Sequence, residues 1–431
     1  MKVSAIICEY NPLHNGHVHH IQETRRKGAT HIICLLSSNF VQRGDVALLN
    51  KFDRAQLAVR AGADLVLELP TSFSCAAAET YASGAVSLLR QLGIVDELSF
   101  GCSTGDLESM ILLTDASLST TQIYGSRIQE RMKQGDSYPA AVWEIVRQRY
   151  GAQVAEKMSD PINLLAIEYM KAMRRQNVSF SALTVQRLCV MHDSTQTSRH
   201  FASASFIRQS LLKNDFSCTD FMPSFTADML SRRISEGRTA TVKQLERVAL
   251  YRMRTISEQE LLKLPDMNEP LAKRFLAARN ANTLDDMLMQ VKTKCYTLSR
   301  IRRIVMCALL GIRKEILLLD PPYARVLAFN ERGRELMGIA QKKSHIPIHT
   351  SLAKLRDTGR TAEVFVEQEE RASHVYGLAQ RTISSAEEDF RARIILESHE
   401  KVPAGGLGGA VHKRGLFGEH IEFTDTMEED E

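Results

Sequence analysis

The stretch Val3-Ser4-Ala5-Ile6-Ile7-Cys8-Glu9-Tyr10-Asn11-Pro12-Leu13-His14-Asn15-Gly16-His17 passes from a short apolar run, through a loop broken by Asn11-Pro12, into a segment with helical character from Gly16 to about Lys27. An apolar run stopped by a Pro-bearing turn reads as a strand. A strand running directly into a helix presents the free backbone N–H groups of the helix N-terminus to whatever sits above the sheet, and such a site attracts anions. His14 and His17 are three residues apart and can share one helical face, so both rings can donate to phosphate oxygens and stabilise the charge that grows there as phosphorus is attacked. Gly16 removes a side chain where a nucleotide must come close. The four histidines His14, His17, His19 and His20 could instead form a metal cluster or a solvated face. Their position after the first strand of an alternating chain favours nucleotide binding, with His19 and His20 as surface or packing residues.

Outward from this loop the alternation continues. Apolar runs at His31–Leu36, Asp64–Leu69 and Glu97–Phe100 alternate with helical patterns at Lys51–Ala61 and Glu79–Leu92, each closed by Gly, Pro or a Ser-Ser-Asn turn. This order predicts a Rossmann-like α/β domain with a parallel sheet covered on both faces, and ligands in such sheets bind beyond the carboxyl ends of the strands. Residues 103–160 read mostly as helix, Pro161–Arg175 as an amphipathic helix, Val178–Leu188 as the domain's last strand and Ala204–Leu212 as its last helix. Met222-Pro223-Ser224 interrupts the pattern, so the expected division is a nucleotide-binding catalytic domain at 1–222 and a mainly helical domain at 223–400, the latter with a small α/β portion at Tyr323–Phe329, Arg332–Ile339 and Ile346–Ile348. Residues 401–431 read as a flexible tail ending in Glu428-Glu429-Asp430-Glu431.

The composition is that of an ordinary globular chain: 431 residues, 44% hydrophobic and 25% charged, with a formal charge of +4. No apolar run reaches the roughly 18 residues of a membrane span, and the N-terminus lacks a signal-peptide layout. The eight cysteines are scattered without a Cys-x-x-Cys pair, which argues against a disulfide framework or a zinc site and fits a reducing cytoplasm. The charge is uneven. Residues 237–315 carry sixteen Lys and Arg against eight Asp and Glu, densest at Lys292-Thr293-Lys294-Cys295-Tyr296-Thr297-Leu298-Ser299-Arg300-Ile301-Arg302-Arg303. Lys292, Lys294, Arg300, Arg302 and Arg303 could neutralise RNA phosphates while Tyr296 stacks on a base. The alternative is a solvated basic helix with Tyr296 in the core.

The His-x-Gly-His spacing resembles the nucleotidyltransferase superfamily. The longer strings Glu9-Tyr10-Asn11-Pro12-Leu13-His14-Asn15-Gly16-His17, Ser38-Asn39-Phe40-Val41-Gln42-Arg43-Gly44 and Gly62-Ala63-Asp64-Leu65-Val66-Leu67-Glu68-Leu69-Pro70 resemble the tRNA(Met) cytidine acetate ligase family, and the resemblance extends to about residue 400. It implies ATP-dependent conversion of acetate to acetyladenylate, then acetyl transfer to the exocyclic amine of the wobble cytidine of elongator tRNA(Met). It also implies ATP contacts across Ile7, Cys8, Glu9, Tyr10, Asn11, Pro12, Leu13, His14, Asn15, Gly16, His17, Val18, His19 and His20, and at Gly101, Asn163 and Arg187. The bland readings of the last three are a turn glycine, a helix cap and a surface ion pair. Two stretches depart from the family pattern: Cys102-Ser103 after Gly101, and Leu188-Cys189-Val190-Met191 before His192-Asp193.

Supporting groups follow from the same chemistry. Arg43 and Lys51 could reach the triphosphate or the substrate carboxylate, or form surface ion pairs. Ser203-Ala204-Ser205-Phe206-Ile207-Arg208 resembles the late phosphate-holding element of nucleotidyltransferases, with Ser205 and Arg208 as ligands and helix capping by Ser203 or Ser205 as the alternative. Activating acetate as a mixed anhydride needs in-line positioning and charge neutralisation, for which Mg²⁺ is the expected companion of ATP; no protein metal site and no catalytic cysteine are expected. Two rivals remain open: a small-molecule nucleotidyltransferase transferring AMP or CMP, and a tRNA-binding protein with an inactive nucleotide site. The oligomeric state is not legible.

Overall fold

A computed structural model describes residues 1–187, 200–392 and 394–396. Its centre is a twisted sheet of eight strands. In chain order the strands are β1 Val3–Cys8, β2 His31–Ser37, β3 Phe40–Val41, β4 Asp45–Val46, β5 Leu65–Leu69, β6 Glu97–Cys102, β7 Ser181–Gln186, β8 Ala324–Phe329, β9 Ile348–His349 and β10 Ile395–Leu396. The sheet order is β10-β8-β5-β2-β1-β6-β7 with β9 also on β8, while β3 and β4 form a separate hairpin. β2 and β5 are buried along their whole length and β1 nearly so, which is why they read as almost unbroken apolar runs rather than alternating ones. The order runs outward from β1 through β2 and β5 on one side and through β6 and β7 on the other, so the topological switch point lies between β1 and β6.

The expected boundary at residue 222 is not respected by the sheet. The strand assigned to a separate α/β portion, β8, pairs antiparallel with β5 from Leu65↔Phe329 to Glu68↔Arg325, and β9 and β10 both pair with β8. Without β8, the edge of β5 would leave peptide groups unpaired in a buried setting. The helix Glu331–Lys343 then packs so closely that a side chain at Gly333 would lie 2.0 Å from the Asp64 carbonyl oxygen, and Asn330 Nδ2 donates to Asp64 Oδ1 at 3.1 Å. One apolar cluster runs from Val3 and Leu67 through Met306 to Ala379, so the helical stretch shares its core with the sheet. The tail at 401–431 and the sequence Leu188–Asp193 lie outside the described residues.

Where β8 returns to the sheet, five ionisable side chains are buried together. Lys51 Nζ lies 2.6 Å from Glu68 Oε1 and 2.6 Å from Asp389 Oδ2, and Arg325 meets Glu68 at 3.1 Å and Asp389 at 2.6 Å. Glu369 accepts from the Thr71 N–H at 2.6 Å and from the hydroxyls of Thr71 and Ser38 at 2.7 and 3.1 Å. All five charged residues are at most 3% exposed. Burial first, then the charge of Glu68, pushes the Glu369 carboxyl up to about 8. Burial alone would also raise Asp389, but Arg325 and Lys51 overturn that and hold it down at about 2. A neutral Glu369 leaves two carboxylates facing two cations.

The sign of the pH dependence follows. An unfolded Glu titrates near ~4.3, so the native chain holds a proton on Glu369 that the unfolded chain releases. That stabilising contribution is complete below about pH 4.3 and is lost as pH rises towards about 8. Urea midpoints should therefore fall between pH 6 and 8.5 in the parent, and Glu369→Gln should flatten that part of the curve. An unchanged slope in the variant would assign it to other groups.

Candidate active site

The loop after β1 is fixed from several sides. Tyr10 adopts φ +46 and Asn11-Pro12 is cis; a bulky residue at positive φ needs surroundings that over-determine it. The Tyr10 ring is buried, with its hydroxyl 3.4 Å from Cys34 Sγ. Asn11 Oδ1 accepts from the Leu48 N–H at 2.8 Å, and the Asn11 carbonyl accepts from Arg208 at 2.6 Å. Asn15 Nδ2 donates to the carbonyl of His200 at 3.0 Å. Beneath the loop, fully buried Arg54 donates to the carbonyls of Glu9, Ser37, Ser38 and Leu49 at 2.6–3.0 Å, tying the ends of β1 and β2 together. Sequence reading passed over Arg54. Its signal was present: in the helix Lys51–Arg60 (α2), Arg54 falls on one stripe with Leu57 and Ala58, and an arginine on an apolar stripe must be paired to be buried there.

His14 is the N-cap of the helix Asn15–Arg26 (α1). Its Nδ1 accepts from the Gly16 N–H at 3.0 Å, and Nδ1 of His17 accepts from the His14 N–H at 3.3 Å. The two imidazoles replace the usual Ser and Glu of a capping box. The rings stack at 3.7 Å, and Tyr10 lies against His17 at 4.9 Å. An imidazole that accepts at Nδ1 carries its proton on Nε2 when neutral. Burial, then His14, Arg187 and His20, holds His17 well below the ordinary histidine range. The cap thus sets two parallel Nε2–H donors at a helix N-terminus beside the switch point. Gly16 is required partly by the histidine itself, since a Cβ there would sit 2.9 Å from the His14 ring.

The remaining expected ATP contacts divide. Gly101 lies on β6 directly under Arg187, whose side chain would be 3.0 Å from a Cβ there. Arg187 also donates its N–H to the Cys102 carbonyl at 3.0 Å, and its charge is felt at both His17 and His20. The His14–His17 pair, Gly101 and Arg187 therefore converge on one side of the switch point. His20, expected as a surface or packing residue, packs: its Nε2 is 3.0 Å from the Ser99 hydroxyl, and burial first, then Arg187, lowers its pKa to about 3. His19 meets the Phe201 ring edge-on. The side chains of Ile7, Cys8, Leu13 and Val18 turn into the apolar layers, so only their backbones are left for a ligand.

Several assignments need correction. Asn163 is 0% exposed; its Oδ1 accepts from the Ser103 N–H and its Nδ2 donates to the Lys157 carbonyl, both at 2.9 Å. It shapes the loop at the Cys102-Ser103 departure. Lys51 is neither a phosphate ligand nor a surface ion pair, because the buried carboxylates of Glu68 and Asp389 hold it. Ser203, rather than Ser205, caps its helix, accepting from the Phe206 N–H at 3.0 Å. Arg208 supports the loop through Asn11, and its charge, with those of Arg54 and Arg43, acts on Glu9, whose carboxyl is nevertheless raised by burial.

The basic segment also divides. Arg300 donates through Nε and a terminal nitrogen to the Asp266 carbonyl at 2.9 and 2.6 Å, and Arg303 pairs with the Asp266 carboxylate at 3.1 Å. Tyr296 lies under Arg300 at 5.3 Å, and its hydroxyl donates to Asn268. Arg300 and Arg303 are thus both held by Asp266, which adopts φ +58, while Tyr296 is held by Arg300 and Asn268. Lys292, Lys294 and Arg302 are exposed. The segment is held against the active-site side of the molecule: Gly44, at φ +73 in the β3–β4 turn, is so close that a Cβ would lie 2.3 Å from the Arg303 backbone nitrogen.

The chain is similar to known proteins over most of its length. The HIGH nucleotidyl transferase profile matches residues 1–390. The tRNA(Met) cytidine acetate ligase of Alkaliphilus metalliredigens is 34% identical over 412 residues, covering 90% of this chain and 97% of the relative. That of Acetivibrio thermocellus is 35% identical over 369 residues, covering 82% and 89%. The crystal structure of Thermotoga maritima TmcAL in its apo form superimposes with a TM-score of 0.86 at 28% identity, covering 93% of this chain and 100% of the other. The same protein bound with alpha-thio ATP gives 0.83 over the same coverage.

Proposed function

Because the chain belongs to the HIGH nucleotidyl transferase family, and within it to the tRNA(Met) cytidine acetate ligases, we propose that it activates acetate with ATP and transfers the acetyl group to the wobble cytidine of elongator tRNA(Met). An acetate oxygen attacks the α-phosphorus and pyrophosphate leaves. The exocyclic amine then attacks the acetyl carbon of acetyladenylate, the bond to AMP breaks, and N4-acetylcytidine is released with a proton. The observation that carries this reading is the stacked His14–His17 cap. Its two Nε2–H donors are fixed before ATP arrives, so they can meet the charge growing on the phosphate oxygens without reorganising. Arg187 and the bare backbone of Gly101 supply the adjacent wall.

Among the described residues, no three His, Cys, Asp or Glu side chains come together to hold a metal. Mg²⁺ commonly rides on the triphosphate with its own waters, and it is the companion of ATP in this reading. No described helix is long and apolar enough to cross a membrane, and we place the enzyme in the cytoplasm with its tRNA.

The test is incubation with ATP, labelled acetate and tRNA, followed by nucleoside mass analysis. Acetyladenylate should form without RNA, and N4-acetylcytidine should appear only when tRNA is added. AMP or CMP transfer to a small phosphorylated acceptor would replace this reading, and so would tRNA binding without pyrophosphate release. For the RNA surface, the exposed cations make the sharper variant. Lys292→Ala, Lys294→Ala and Arg302→Ala together should weaken tRNA binding and lower the slope of log affinity against log salt by up to about two to three, as roughly 0.7–0.9 counterion is released per phosphate contact. A parental salt slope would mean that the segment is a solvated face.

A further inference from the structure

The helix Glu246–Thr255 lies in the same basic region, and sequence reading assigned it no role. Three of its residues, Arg247, Tyr251 and Arg254, are exposed and spaced four and three apart, so they form one stripe along a single face. Tyr251 is 69% exposed, more than any other aromatic residue described. A lone exposed aromatic is unremarkable; one set between two arginines on a helix face is the arrangement that reads unpaired bases, with the ring as platform and the cations on the phosphates either side.

The surroundings sharpen this. Two nearby acids are already engaged: Glu246 accepts from the Leu284 N–H, and Glu260 pairs with Arg252. Arg254 is braced by one bond to the Ala281 carbonyl at 2.8 Å. Tyr296, the aromatic that the sequence suggested, is capped by Arg300 and bonded to Asn268, so its ring is not offered to a base in the same way.

We propose that the Arg247–Tyr251–Arg254 stripe is a docking surface for tRNA, on which Tyr251 stacks an unpaired base. The proposal rests on the tRNA reading above and names a surface for it. Binding of elongator tRNA(Met) to the full chain, at fixed ionic strength, tests it. Tyr251→Ala should weaken binding on the order of 5- to 150-fold, the range measured for removing one stacking partner. Tyr251→Phe, which keeps the ring, should bind like the parent. Arg247→Ala should lower the salt slope by about one unit or slightly less. In turnover, the Tyr251→Ala defect should appear in KM for tRNA rather than in kcat. Parental binding by Tyr251→Ala overturns the proposal, and so does a Phe variant as weak as Ala. A parent that binds no tRNA at all would instead sink the tRNA reading itself, and the two failures are told apart by that control.

Discussion

His17→Ala should reduce acetate-dependent ATP–pyrophosphate exchange by about 10²–10³, or ~2.7–4 kcal/mol of transition-state stabilisation, the usual cost of one preorganised donor to a developing oxyanion. Two losses coincide in this variant. The Nε2–H donor disappears, and so does the Nδ1 acceptor that holds the His14 N–H at 3.3 Å. The second loss also frees the stacked His14 ring, so His14→Ala and the double variant should be far from additive. The fold should persist, since α1 keeps the cap bond from Gly16 to His14. Because His17 is held neutral, exchange should not rise as pH falls through the ordinary histidine range. A folded His17→Ala protein with near-parental exchange would remove the imidazole from the chemistry.

The fold around this site was legible because its signals are local. β1, β2 and β5 are short apolar runs stopped by Pro or Ser-Asn turns, β6 continues past the expected stop at Gly101 to Cys102, and the helices Pro161–Arg175 and Ala204–Leu212 begin where proline and serine put them. The pairing of β8 with β5 was not legible. Nothing within Tyr323–Phe329 states that its partner lies more than 250 residues earlier, and Asp320-Pro321-Pro322 reads as a boundary although the chain is only turning back to the sheet. The same distinction applies to the site. His14, Gly16 and His17 announce themselves by spacing. The burial of Asn163 and the bonding of Arg300 and Arg303 to Asp266 depend on residues that meet only in three dimensions. Tyr251 was overlooked for a related reason: its stripe is less dense in charge than Lys292–Arg303, and exposure, not composition, distinguishes the two aromatics.

Lys51 shows most clearly what tertiary structure adds, and replacing it should cost more stability than any surface change. Its partners Glu68, Asp389 and Glu369 are spread over the chain, and all lie in the same buried pocket with Arg325. Lys51→Met keeps length and apolar character but removes one of two cations, leaving Glu68 and Asp389 to share Arg325. Breaking a buried ion pair by deleting one partner typically costs ~3–5 kcal/mol, because a charge is left uncompensated in a medium that solvates it poorly. Equilibrium unfolding in urea should show this loss at neutral pH. A packing defect alone would be independent of pH, whereas an uncompensated carboxylate would not. In the variant, one carboxyl should be driven to hold a proton, raising its folded pKa above the unfolded value. The stabilising contribution of that proton is present at low pH and lost as pH rises through the new pKa. The gap between parent and Lys51→Met should therefore narrow towards pH 5 and widen towards pH 8. Converting Glu68 to Gln in the same chain should recover part of the loss by removing the stranded charge. A constant gap across pH, with no recovery from Glu68→Gln, would mean that Lys51 contributes through its methylenes. A rise in KM for ATP, in variant protein confirmed folded, would return it to the phosphate site.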